Sequence, residues 1–279
     1  MLIAFTVSAI IFLGKSASAN RLPDGYGQIE TLKHHAFRYT IDGEPVRRGN
    51  RAERFELRHG DCGGKDCRND RIRSEFGERR QYTTARIGVD IWYGWSFHIE
   101  QSPHLPGRHR LYPFFGQWKM GGDTPPIVTF MQSDHGTKDT IFVSLVDMAY
   151  ANGNMVAGKP HGNICKDIFS IAQAKSGWVD IVVNTNFSHS KDGYFKVWIN
   201  GQLKCNYTGQ IVATKTFKYF KGPNHRRGIY VGNTKYWKSK FGDKPTPTWI
   251  VYYDEFLAGN SREDVDTRMR EAAGVKPKD

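Results

Sequence analysis

Three short segments of the chain carry cations and polar groups at alternating positions. Residues 71–75 read Arg-Ile-Arg-Ser-Glu, residues 116–119 read Gly-Gln-Trp-Lys, and residues 226–230 read Arg-Arg-Gly-Ile-Tyr. Side chains two positions apart on a β-strand share a face, so each segment would present one polar face with a cation on it. The side chains expected on these faces are Arg71, Arg73 and Glu75, then Gln117 and Lys119, then Arg226 and Tyr230.

Side by side, three such strands would line a cationic groove that contains a phenol. Cations bind anionic ligands and stabilise negative charge as it develops during a reaction. A phenol among cations can give up a proton and take it back. The groove would therefore suit acid–base chemistry on an anionic substrate. The alternative is that the segments are separate, solvated strands whose charges never meet.

The rest of the chain favours β-strands. Short runs of aromatic and β-branched residues are separated by Gly, Asn and Asp, and Asn200-Gly201 is a strong hairpin signal. Only residues 261–273 look helical, with Ser261 as a candidate N-cap. The strand candidates are residues 54–58, 70–76, 91–99, 114–120, 127–132, 141–147, 179–187, 194–199, 228–232 and 249–257. We expect a single all-β domain over residues 20–279, with two packed antiparallel sheets and a short C-terminal helix.

Residues 1–19 have the pattern of a signal peptide. The run up to Leu13 is nearly all apolar, and Ala17-Ser18-Ala19 forms a cleavage site before Asn20. A membrane anchor is the alternative, because the usual basic start is missing and Lys15 follows the apolar run. That run is too short to span a bilayer comfortably. We therefore expect a secreted or periplasmic protein with no stable membrane insertion.

The four cysteines fit an oxidising compartment. Cys62 and Cys67 lie in one glycine-rich loop, whereas Cys165 and Cys205 flank a later strand pair. Among the three possible connectivities we favour Cys62–Cys67 with Cys165–Cys205. A zinc site is the competing interpretation, but the spacings do not match a zinc finger and no histidine stands at finger spacing.

The formal net charge is +12, from 40 basic and 28 acidic residues. A positive field attracts polyanions and speeds their encounter. Export argues against nucleic acid, and no basic amphipathic helix long enough for a lipid surface is present. An acidic polysaccharide is the partner that remains, although charge alone also fits a protein that is merely basic and soluble.

The three polar segments resemble the signature strands of jelly-roll polysaccharide lyases, the group that contains alginate lyases, glucuronan lyases and heparin lyase I. These lyases carry an R-S-E-L strand, a Q-x-H strand and a K-x-G-x-Y strand. The matching segments here are Arg73-Ser74-Glu75-Phe76, Gln117-Trp118-Lys119 and Arg226-Arg227-Gly228-Ile229-Tyr230. The likeness covers residues 50–260. It implies a concanavalin-like β-jelly-roll sandwich and cleavage of a uronic-acid polymer by β-elimination.

Three further segments look most like the heparin-lyase-I-like branch of this group. They are Asp61-Cys62-Gly63, Tyr93-Gly94-Trp95-Ser96-Phe97 and Trp198-Ile199-Asn200-Gly201. We expect a monomer that needs no cofactor, and the resemblance allows a structural calcium ion whose ligands are not legible in the sequence. It does not identify the polymer.

The resemblance also implies roles for individual residues. β-Elimination removes the C5 proton of a uronic acid, and donors must stabilise the enolate-like charge that forms. Arg73 and Gln117 would supply this, assisted by Lys119 or Arg226. Tyr230 would act as both base and acid, with a pKa lowered by the nearby cations. The remaining candidates for substrate binding are Glu75, Arg71, Lys221, His98, His225 and Trp95.

The chain departs from the family pattern at two places. Lys119 stands where the family usually has histidine, so His98 or His225 would have to serve if a second base is needed. The family's Tyr-Phe-Lys run ends here at Lys221, well before Gly228-Ile229-Tyr230. Either Lys221 or Arg226 could therefore be the cation near Tyr230, and strand register favours Arg226.

Two other classes of function compete with the lyase. A glycoside hydrolase needs two carboxylates that face one bond. The strand pattern E-x-D-x-E is missing, and Asp254 and Glu255 are adjacent, which puts them on opposite faces. A carbohydrate-binding protein without catalysis is the other alternative, because fold does not imply function.

Overall fold

The computed structural model describes residues 25–29, 33–105, 111–121, 124–132, 139–151, 162–213 and 222–279. The strands are β1 Tyr26–Gln28, β2 Phe37–Tyr39, β3 Glu53–Leu57, β4 Arg71–Glu78, β5 Ile91–Gln101, β6 Tyr112–Lys119, β7 Pro126–Gln132, β8 Thr140–Leu145, β9 Asn163–Ser170, β10 Val179–Thr185, β11 Tyr194–Ile199, β12 Gln202–Thr208, β13 Asn224–Gly232 and β14 Trp249–Gly259. The helices are α1 Gly64–Arg68, α2 Val146–Ala151, α3 Ile171–Ser176, α4 Thr234–Phe241, α5 Arg262–Val265 and α6 Thr267–Ala272, with a 3-10 turn at Arg80–Tyr82. The predicted signal peptide lies outside the described residues.

These strands form two antiparallel sheets, which confirms the predicted two-sheet architecture. The front sheet has the order β1-β4-β13-β6-β7-β8-β9, and the back sheet has the order β12-β11-β10-β5-β14-β3-β2. Neighbours in each sheet are often distant in sequence, as in a jelly roll. The front sheet therefore brings together β4, β6 and β13, the strands that contain the three polar segments.

The hydrophobic core lies between the two sheets and is filled by alternate residues of the strands. On β13, Ile229 and Val231 point into it and are fully buried. Arg227 also points inward, where its Nη2 donates to the Glu53 carboxylate at 2.6 Å and its guanidinium lies 4.0 Å from the centre of the Tyr26 ring. This buried charge is tolerated because it is paired and hydrogen-bonded. Alternation thus leaves the other residues of β13 on the outer face.

The single C-terminal helix predicted over residues 261–273 is instead two short helices. Ser261 caps α5 with a capping box, as the sequence indicates. The chain then takes an extended conformation at Asp266, whose carboxylate accepts hydrogen bonds from the first backbone amides of α6. Within the described ranges, no helix is long and apolar enough to cross a membrane.

Both predicted disulfides are present. Cys62–Cys67 closes the loop that contains α1. Cys165–Cys205 joins β9 to β12, the edge strands of the front and back sheets. The second bond therefore ties the two layers of the sandwich together at one side.

Replacing Cys165 and Cys205 with alanine should lower the free energy of unfolding by about 2–4 kcal/mol, because the bond closes a long loop. The sequence separation is 40 residues, against 5 for Cys62–Cys67. Urea unfolding of each double variant checks this. Replacing Cys62 and Cys67 should lower the free energy of unfolding by less, because their loop is shorter. Equal decreases in the two double variants would contradict the chain-entropy explanation.

Candidate active site

The three polar segments lie on neighbouring strands and share the outer face of the front sheet. Strand β13 lies between β4 and β6. Its register sets Tyr230 opposite Arg73 on one side and opposite Phe114 on the other. Four residues earlier, Arg226 is opposite Gln117. Two cross-strand rows of functional side chains therefore stand on one surface.

The ring of Tyr230 is held between two flat groups. Phe114 stacks on one side, with ring centres 5.0 Å apart and planes 29° apart. The guanidinium of Arg73 lies over the ring at 4.8 Å from its centre. A cation over an aromatic face is attractive, and the two contacts together restrict rotation of the phenol. The hydroxyl is consequently presented in one orientation.

A hydrogen bond between β4 and β6 crosses over β13. The Gln117 side-chain amide donates to the Glu75 carboxylate, although these strands lie two strand spacings apart, about 9.5 Å. The residue of β13 opposite Glu75 is Gly228. Gly228 has no side chain, and the two long side chains meet over it on the outer face.

Gly228 also has a backbone conformation that favours glycine. Its φ is +117°. A Cβ atom there would lie 2.2 Å from the Ser74 carbonyl oxygen and 2.9 Å from a ring carbon of Phe55. The register of β13 against β6 shifts beside it. From the back sheet, the Tyr253 hydroxyl donates to the Phe115 carbonyl oxygen and lies 3.1 Å from that of Gly228.

All three guanidinium nitrogens of Arg73 donate hydrogen bonds to carboxylates. Its Nη2 donates to Asp66 Oδ1 at 2.7 Å, its Nε donates to Asp66 Oδ2, and its Nη1 donates to Glu75 Oε2 at 2.9 Å. Arg73 and both carboxylates are buried. In this arrangement the charge of Arg73 is balanced by the protein itself.

Two other arginines on the same face are less engaged. Arg226 donates through Nε to Asn224 at 3.2 Å, and its Nη1 is 3.9 Å from Glu75, beyond hydrogen-bonding distance. Arg71 is exposed and forms no ion pair with any described residue. Arg71 is therefore accessible to an anion at the surface, whereas the Arg226 side chain is mostly buried, with 13% of it exposed.

Burial raises the pKa of Tyr230 above its ordinary value. Arg71 and Arg73 act in the opposite direction, while Glu75 and Asp66 raise the pKa further. The expectation of a lowered pKa is therefore wrong. The phenol is mostly buried, and its desolvation, together with the carboxylates that balance Arg73, outweighs the effect of the cations.

Lys119 lies at the end of β6, beyond Gln117. Its amine donates to the Thr124 backbone carbonyl oxygen and is 3.5 Å from the Thr124 hydroxyl. It is therefore directed towards the connection between β6 and β7.

Several residues expected at the site lie elsewhere. His225 and Trp95 face the core, where His225 stacks on Phe256 with ring centres 4.5 Å apart. Burial and the nearby Arg227 lower the pKa of His225 well below its ordinary value, so it stays neutral. The expectation that either residue binds substrate is corrected, since both point between the sheets. Lys221 lies outside the described residues.

His98 is on the opposite side of the molecule. It belongs to β5 of the back sheet. Its Nδ1 is 3.3 Å from the Gly177 carbonyl oxygen, and its ring packs beside Trp178. It therefore does not reach the face that carries Tyr230.

Two side chains of the site are absent from the sequence-based candidates. Asp66 has no motif of its own, although its position in the Cys62–Cys67 loop could have indicated a fixed location. Phe114 was hidden by a β-bulge, because strict alternation would place Phe115 beside Gln117. Phe115 instead faces the core.

In the described part of the chain, no group of three His, Cys, Asp or Glu side chains could hold a metal ion.

The comparisons with known proteins agree with this architecture. A glucuronan lyase from the fungus Trichoderma reesei has the same fold with a TM-score of 0.57 at 19% identity, covering 86% of this chain and 97% of that one. An alginate lyase of polysaccharide lyase family 7 has a TM-score of 0.50 at 15% identity, covering 82% and 84%. The sandwich is thus a jelly roll of the kind found in polysaccharide lyases.

Residues 24–257 match the polysaccharide lyase family, and the chain belongs to that family. It is therefore classed as an enzyme, a polysaccharide lyase. No curated protein matches the sequence.

Replacing Gly228 with alanine should destabilise the protein by about 1–3 kcal/mol, the usual cost of a strained backbone position, and should reduce activity by displacing Glu75. The control is Gly177→Ala, because nothing lies within 4 Å of a Cβ atom at that glycine and its φ is extended. Thermal unfolding of both variants checks the first effect. A Gly228→Ala protein as stable as the control would contradict the proposed constraint.

Proposed function

We propose that this chain is an exported lyase that cleaves a uronic-acid-containing polysaccharide by β-elimination. The observation that carries the proposal is the phenol of Tyr230, held between Arg73 and Phe114 on a face that also presents Gln117 and Arg226. β-Elimination needs one group to move a proton and others to stabilise an anion. This face provides both kinds of group.

Arg226 and Gln117 are the best candidates to stabilise the substrate anion. Removing the C5 proton converts the uronate carboxylate into an enolate-like dianion, and preorganised donors aimed at that charge lower the barrier. Arg73 has its donors committed to Asp66 and Glu75. We therefore assign the substrate carboxylate to Arg226 and to the second amide hydrogen of Gln117, whose first hydrogen is donated to Glu75, and the orientation of the phenol to Arg73.

Tyr230 is assigned both proton transfers. Its raised pKa keeps it protonated at neutral pH, so it must first lose its proton to act as the base. We expect the rate to rise with pH as this deprotonation proceeds. The phenol formed by taking the C5 proton is then the acid that protonates the C4 oxygen.

The substrate is proposed to be an acidic polymer encountered outside the cytoplasm. A net charge of +12 attracts polyanions, and the signal-peptide pattern and two disulfides fit an oxidising compartment. The similar glucuronan lyase acts on a uronic-acid polymer by its name. The heparin-lyase-I-like segments extend the proposal to glycosaminoglycan-like chains, handled by a monomer without a required cofactor.

Replacing Tyr230 with phenylalanine should reduce elimination by more than about 10²–10³-fold, the usual loss from removing one donor to a developing oxyanion, because it removes acid and base together. The assay is the ultraviolet absorbance of the unsaturated product on a panel of glucuronan, alginate and heparin. The control is Tyr207→Phe, on β12 of the back sheet. Full activity in Tyr230→Phe would overturn the mechanism.

The lysine at position 119 leads to a prediction about stereochemistry. In glucuronate and mannuronate the C5 proton and the C4 oxygen lie on the same side, so one group can serve both. In guluronate and iduronate they lie on opposite sides and a second base is needed. Lys119 has a reference pKa of about 10.4 and is a poor base. We therefore expect syn elimination by Tyr230 alone.

Turnover on defined oligosaccharides checks this expectation. Glucuronate- or mannuronate-type substrates should be cleaved, and iduronate- or guluronate-type substrates should not. Efficient cleavage of the second group, lost in Lys119→Met, would show that Lys119 is a base after all.

A further inference from the structure

The small disulfide ring next to the site contains a buried carboxylate. Asp66 lies in α1, a helix of five residues, between Cys62 and Cys67. Its exposed fraction is 1%. A helix this short is not stable by itself, so the position of Asp66 depends on what closes and anchors the loop.

The loop is anchored to the start of β4. The Arg73 backbone amide donates to the Asp61 carbonyl oxygen at 3.0 Å. The Asp61 carboxylate accepts from the Arg58 backbone amide at 2.6 Å and lies 2.8 Å from His35 Nε2. With the disulfide, these contacts hold the carboxylate of Asp66 against β4.

The carboxylate of Asp66 binds the guanidinium of Arg73 in a bidentate arrangement. Both carboxylate oxygens accept hydrogen bonds, one from Nε and one from Nη2. Such paired bonds fix the plane of the guanidinium as well as its position. The third nitrogen is held by Glu75. Two of the three bonds that orient Arg73 over the Tyr230 ring therefore come from Asp66, outside the strand that carries Arg73, and the third comes from Glu75 on that strand.

We propose that Asp66, held by the Cys62–Cys67 ring, is a positioning residue that acts through Arg73 to orient Tyr230 and to set its charge environment. This rests on the proposed role of Tyr230. Arg73 then serves as the contact between the ring and the phenol, and its charge is balanced before any substrate arrives.

The charged groups around the phenol make the proposal testable by pH. On β6 the facing side chain is Phe114, which does not titrate. The charged groups that act on Tyr230 are Arg71, Arg73 and Glu75 from β4, Asp66 from α1 and Arg226 from β13 itself. Because Asp66 raises the pKa of Tyr230, neutralising Asp66 should lower that pKa.

The test is Asp66→Asn, with Asp70→Asn as the matched control. Asp70 lies in the same segment as Asp66, and replacing it with asparagine removes the same charge. Its backbone has a left-handed φ of +53°, which asparagine tolerates. In Asp66→Asn we expect kcat to fall by about 10–100-fold, the scale of a supporting contact or a small misplacement, with little change in KM. The rising limb of the pH–rate profile should move to lower pH. Asp70→Asn should change neither.

A double-mutant cycle tests the ring. Replacing Cys62 and Cys67 with serine should reproduce the loss seen in Asp66→Asn, and the combined variant should lose little more, because both changes break one linkage. Full additivity would show that the ring and Asp66 act independently. If Asp66→Asn does not fold, Asp66→Glu is the substitute, because it keeps the charge while displacing it. This variant should lower kcat without shifting the rising limb of the pH–rate profile.

Failure of this inference can be told apart from failure of the proposed function. If Tyr230→Phe abolishes elimination while Asp66→Asn changes neither kcat nor the pH limb, the positioning role is wrong and the lyase mechanism stands. If no polymer is cleaved, the tyrosinate absorbance of each protein minus its Tyr230→Phe counterpart still reports the phenol pKa. An unchanged pKa in Asp66→Asn would then overturn the positioning role.

Discussion

The polar network on the outer face depends on strand β13 having no side chain at position 228. Glu75 and Gln117 belong to strands on either side of β13 and meet over Gly228. A Cβ atom at that position would overlap the backbone of β4 at Ser74 and Glu75, so a side chain there would displace the strand that carries Glu75. The same residue takes a φ of +117° next to a register shift. The Tyr253 hydroxyl, reaching from the back sheet, contacts carbonyl oxygens on both sides of that shift. The core of the sandwich and the candidate site are thus joined at one glycine.

Charge on this face is divided between balanced and available cations. Arg73 is paired with two buried carboxylates, whereas Arg71 is exposed and Arg226 is only loosely associated with Glu75. A site lined only by unpaired cations would pay a large desolvation cost on folding. The division lets Arg73 be buried against the phenol while Arg71 remains accessible to a polyanion.

Strand β13 also shows how one strand serves two environments. Arg226 and Tyr230 point outward, while His225, Arg227 and Ile229 point into the core. The inward cation is neutralised by a buried carboxylate, and burial keeps the inward histidine uncharged. Adjacent residues of the same chemical type therefore have different roles, decided only by the face on which each one lies.

The sequence by itself determined the strand character of the three segments and the faces of Arg73, Gln117 and Tyr230, because a period of two residues is a local property. It favoured the pairing of Cys62 with Cys67 through their short spacing, whereas Cys165 and Cys205, 40 residues apart, meet only where β9 and β12 come together in the folded sandwich. It also contained enough to exclude His225 from the site, since that residue is out of phase with Tyr230. Only the tertiary structure decided that Phe114 rather than Phe115 faces outward, because a β-bulge depends on the neighbouring strands. The same holds for the grip of Asp66 on Arg73 and for the raised pKa of Tyr230, since burial and charge balance are sums over residues that are distant in sequence and adjacent only after folding.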